Sequence, residues 1–241
     1  MQNQSKNNNE FINAYPDNIP SEVAIVISKL EHEILIKYPE IEYIKFIPLG
    51  SLILAWKLRK FINHESKGYN DIDIGLIYKT SVKDSESFNN QKFASDVDEM
   101  LAKLCLEYLQ VNLCGTICPE YLYLNISGLI DRLQKPNTRL EKSLAMSLLC
   151  DNEDIHNEII LAIERSTITL DSILFWLIFF QVSSFPKHIR GFQLLEDVQK
   201  LNQLKSISLR IPDLLQKKIS KDLLALTIEN ACIEAIKNRG S

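Results

Sequence analysis

Ile41-Glu-Tyr-Ile-Lys-Phe-Ile-Pro48-Leu49-Gly50-Ser51, followed further along by Asn70-Asp71-Ile72-Asp73-Ile74-Gly75-Leu76-Ile77-Tyr78, is the part of the chain on which the fold reading turns. The first segment is apolar and β-branched and closes on a Gly-Ser pair, the pattern of a strand that ends in a turn. The second alternates acidic and apolar residues before running apolar, which predicts a second strand with one polar face. Between them, Leu52 to Phe61 reads as a helix, followed by the polar loop Asn63 to Asn70.

Working outward, Val23, Val26, Ile27, Leu30 and Ile34 recur at helical spacing between Pro20-Ser21 and Pro39, so a helix is predicted over 21–37. Past the second strand, Thr80 to Lys92 is a polar connection. Ser95 then reads as the N-cap of a helix, with Asp96, Asp98 and Glu99 in the first turn and Val97, Leu101, Leu104, Cys105 and Tyr108 as its apolar stripe. Two further strands are expected near 110–117 and 121–127. From about Leu129 onward only helical stripes follow: Ile155, Ile159 and Ile163; Ile173 to Phe180; Leu194, Leu195, Val198 and Leu201; and a last stretch with Leu215, Ile219, Leu223, Leu226 and Ile236.

The fold class is therefore α+β, a small mixed-sheet domain followed by an all-helical one. The expected boundaries are a disordered, Asn- and Gln-rich tail over 1–17, the α/β domain over 18–130 and the helical domain over 131–241.

Charge divides the same way. Residues 1–130 hold 12 Lys and Arg against 17 Asp and Glu, whereas 131–241 hold 15 against 14. The net charge of −4 excludes a generally basic nucleic-acid binder. The 8 basic and 3 acidic residues within 187–221 read as a solvated helix face ahead of a phosphate-facing patch. Five cysteines without close repeating pairs point to reduced thiols rather than a disulfide framework. The polar N-terminal residues lack the apolar run of a signal peptide, and the apolar run Ile173 to Val182 is too short to span a bilayer. A cytoplasmic protein without membrane contact is the expectation. His32, His64, His156 and His188 have no partner spacing and read as surface or satisfied polar residues.

The chemistry-bearing residues are Gly50, Ser51, Asp71 and Asp73. On a strand, residues two apart point to one face, so Asp71 and Asp73 project side by side. Two such carboxylates suit magnesium, which takes one or two protein carboxylates together with phosphate oxygens. A Gly-Ser turn entering a helix offers free backbone N–H groups and a hydroxyl to a phosphate. An Asp-x-Asp by itself is weak, since 13 Asp in 241 residues give about one by accident. The second instance, Asp96-Val-Asp98, falls in a helix, where residues two apart diverge.

At these residues the chain resembles the nucleotidyltransferase superfamily typified by DNA polymerase β, whose signature is an apolar strand ending in Gly-Ser, a helix, then Asp-x-Asp on the next strand. The resemblance covers about residues 20–127. It implies that Asp71 and Asp73 bind the magnesium that carries a nucleoside triphosphate, that Gly50 and Ser51 hold the phosphates, and that an NMP group passes to a hydroxyl acceptor (a small molecule, a protein side chain or an RNA end). Members of that superfamily often carry a helical domain on the C-terminal side, as kanamycin-type enzymes do, and residues 131–241 fit one. The superfamily also uses a third carboxylate on a later strand. Here Asn112 stands where an acid would fit, the next strand carries Asn125, and Glu120 lies between them. An amide cannot serve as a general base. The alternative reading is accordingly a catalytically degenerate nucleotide-binding or protein-interaction module on the same fold, such as a toxin–antitoxin component, with the helical half engaging a protein partner or a second copy.

Overall fold

The computed structural model describes residues 21–48, 74–80, 90–109, 124–125, 133, 135, 137–188, 191–207 and 209–239. Helix α1 spans Ser21–Lys37, and its stripe Val23, Val26, Ile27, Leu30 and Ile34 is fully buried. Pro39, which cannot continue the helix, sits in a tight turn closed by Tyr38 N–H to Ile34 O at 2.8 Å and Ile41 N–H to Tyr38 O at 3.0 Å. The turn delivers the chain into β1 (Ile41–Pro48), which pairs antiparallel with β2 (Ile74–Thr80). β3 (Leu124–Asn125) lies parallel to β2, with Leu124 beside Ile77 and Asn125 beside Tyr78, giving the mixed order β1-β2-β3.

Both faces of this sheet are covered. Ile44, Phe46, Leu76 and Tyr78 pack with α1 and with Phe93, Val97, Leu101, Leu104 and Cys105 of α2 (Asn90–Leu109). Ile47 and Ile77 join the opposite core, built from helices α3 (Thr138–Ser147), α4 (Glu153–Glu164) and α5 (Leu170–Val182) around Leu140, Leu144, Ile155, Ile159, Ile173 and Leu177. A sheet buried on both sides accounts for strands that run apolar rather than alternating cleanly. Polar contacts on the second face follow the same parity. Tyr43 and its cross-strand neighbour Lys79 reach Cys150 and Glu158 respectively, the latter at 3.0 Å.

The start of α2 differs from the expectation. The helix begins at Asn90, so Ser95 lies inside it and caps nothing, and Asp96 and Asp98 are outside the first turn. The reason is tertiary. Phe93 packs edge-on against Tyr38 at 5.0 Å and against Tyr78 at 5.1 Å, and this burial extends the helix past the local cap signal. Asp96 instead ties α2 to the end of α1, bonded by Lys37 Nζ at 2.8 Å and by the Tyr38 hydroxyl.

The helical half is set by its caps. Asn137, Asn152 and Thr169 accept from Leu140, Ile155 and Ser172 N–H at 3.0, 3.0 and 3.3 Å, opening α3, α4 and α5. The short α6 (Phe185–His188) and a 3-10 turn (Phe192–Leu194) precede α7 (Asp197–Lys205). The expected stripe through Leu194, Leu195, Val198 and Leu201 is not one helix face. Gly191, at φ 80°, opens the 3-10 turn, Leu195 is extended, and α7 starts only after Glu196, whose N–H donates to Gln199 Oε1 at 3.1 Å. This phase turns Leu204 inward and leaves Leu194 and Val198 90% and 70% exposed.

The last stretch is likewise two helices, α8 (Asp213–Lys218) and α9 (Lys221–Arg239). They are broken at extended Ile219, and Ser220 Oγ accepts from Leu223 N–H at 3.2 Å. Leu215 is buried, while Leu226 is largely exposed. Buried Gln181 holds the segment before α8. Its Nε2 donates to Arg210 O at 3.0 Å and its Oε1 accepts from Arg210 N–H at 2.8 Å. No helix among the described residues is long and apolar enough to cross a membrane.

Candidate functional site

Gly50, Ser51, Asp71 and Asp73 lie outside the described residues, as do the expected helix over 52–61, the expected strand over 110–117, Asn112 and Glu120. The described residues define the frame from which these segments leave. In the β1–β2 ladder Ile47 faces Gly75 and Pro48 faces Ile74. Gly50 is two residues beyond Pro48, and Asp73 immediately precedes Ile74. The Gly-Ser segment and the Asp-x-Asp segment are therefore attached to the same end of one antiparallel pair.

That pair is buried on both faces. Leu76 and Ile77 are fully buried, one in each core, and Tyr78 is all but buried behind them. On the outer side of β1 the Phe46 N–H is accepted by Glu31 Oε1 of α1 at 3.4 Å, a side-chain cover for an edge that would otherwise present a bare donor. Nothing in the helical periodicity of α1 signals Glu31, because its role depends on where β1 lies.

Several other titratable groups among the described residues make structural contacts. His156 Nε2 lies 2.7 Å from the Cys150 carbonyl oxygen, so it carries the ring proton, and 3.7 Å from Cys150 Sγ. Burial holds this imidazole below the usual histidine range, although the Cys150 carbonyl pulls the other way. The Tyr43 hydroxyl is hydrogen-bonded to the same thiol and is pushed up by burial. Burial also raises the Cys105, Cys150 and Cys232 thiols to about 11, which makes them poor nucleophiles. Cys114, Cys118 and His64 lie outside the described residues, and His32 is exposed. His156 is thus a satisfied core histidine.

Asp96 is held below the usual carboxylate range by the hydrogen bonds from Lys37 and Tyr38. Asp96 and Asp98 stand two apart inside α2, where side chains diverge around the axis, and Asp98 is exposed. In the basic stretch over 187–221, Lys200, Lys205, Arg210 and Lys218 pair with Asp197 at 3.2 Å, Glu229 at 2.6 Å, Asp151 at 2.9 Å and Glu164. Four of the eight basic residues of this stretch are thus paired with acids, as on a solvated helix surface. Among the described residues, no group of three or more His, Cys, Asp or Glu side chains could hold a metal ion.

No protein-family model, no curated protein and no solved structure matches the chain.

Proposed function

We propose that the chain is a magnesium-dependent nucleotidyltransferase that moves an NMP group from a nucleoside triphosphate to a hydroxyl acceptor. The observation that carries the reading is the register Pro48 to Ile74, which attaches Gly50-Ser51 and Asp71-Ile-Asp73 to one end of a sheet of order β1-β2-β3. Two carboxylates and phosphate oxygens form a donor set of hard oxygens, the kind magnesium takes. Bound magnesium would neutralise the phosphates and polarise the reacting phosphorus.

The chain's own residues have the following roles. Asp71 and Asp73 hold the metal, while Gly50 N–H and the Ser51 hydroxyl orient the phosphates. The acceptor oxygen attacks the α-phosphorus, the bond to the bridging oxygen breaks, and pyrophosphate leaves. For a general base we assign Glu120. Glu120 is the acid that lies between Asn112 and Asn125 in the sequence.

One observation favours the second reading, a nucleotide-binding module without turnover: the described residues of β3, Leu124 and Asn125, contain no acid. Incubation with each α-labelled nucleoside triphosphate and magnesium, over small-molecule, protein and RNA acceptors, decides between them. Label transfer that is lost in Asp71→Ala/Asp73→Ala supports the enzyme. Magnesium-dependent nucleotide binding without transfer supports the module.

A further inference from the structure

We draw no further inference here: the strongest candidate, the exposed apolar pair Leu194 and Val198 flanking the start of α7, carries nothing because nothing in the structure shows what covers it.

Discussion

Pro48, the last residue of β1, stands directly opposite Ile74, the first residue of β2. Proline has no N–H to give to a ladder, which suits its place at the end of the described pairing. Gly50-Ser51 follows this end of β1 in the sequence and Asp73 precedes this end of β2, the connectivity on which the proposed nucleotide site rests.

The sheet is shared between two cores, so its second face cannot be left bare. Ile77→Ala is expected to destabilise the whole chain by about 2–5 kcal/mol, the usual range for a buried aliphatic truncated to alanine. Urea unfolding followed by both far-ultraviolet dichroism and the fluorescence of Trp176 in a Trp56→Phe background checks this. The two signals should shift together; a shift confined to one would show that the halves unfold independently.

Asp96 gives the fold an acid-sensitive clip. Its carboxyl titrates below the ordinary value because the Lys37 and Tyr38 hydrogen bonds favour the charged form. A depressed carboxylate contributes stability that is full above its unfolded pKa, about 3.9, and is lost as pH falls through the lower folded value. Asp96→Asn should therefore be less stable than the parent at pH 7, with the gap closing as the pH is lowered past 4. A gap independent of pH would remove the ion pair from the account.

His156 acts in the same direction for a different reason. Burial disfavours its charged form, so the unfolded chain binds a proton that the folded one resists. Stability should fall as pH drops below the unfolded value, about 6.5, until the folded imidazole itself protonates. Proton NMR of the ring should give a midpoint below 6.5, and His156→Gln should flatten the dependence of stability on pH in that window. A midpoint above 6.5 would contradict the burial argument.

If Glu120 is the base, removing its charge should separate binding from turnover. Glu120→Gln is expected to keep magnesium–nucleotide affinity within a factor of a few while transfer falls by roughly 10²–10⁴, the usual contribution of a positioned general base. Unchanged transfer would assign the base elsewhere.

Much of the frame was legible from local pattern. α1 is bracketed by Pro20-Ser21 and Pro39 around a stripe that is buried as expected, and both strands of the main pair follow their β-branched runs. What escaped depends on contacts between residues distant in sequence. Ser95 looks like a cap, but Phe93 wedges between Tyr38 and Tyr78 and carries the helix back to Asn90. Leu194 and Val198 have helical spacing, yet Gly191 in the left-handed region and the Glu196 start of α7 set a different phase. The basic stretch gave no sign that acids on α4 and α9 neutralise Lys218 and Lys205. The candidate site itself was legible only as a motif: Gly50, Ser51, Asp71 and Asp73 follow no hydrophobic periodicity and lie outside the described residues.

The most direct test of the central claim is calorimetric titration of each of the four nucleoside triphosphates, with magnesium, into the full chain and into Asp71→Asn/Asp73→Asn. The account predicts saturable binding of at least one nucleotide that disappears with chelator and in the double variant, while the variant keeps the parent's far-ultraviolet dichroism. No binding by the parent, or equal binding by the folded variant, would contradict it.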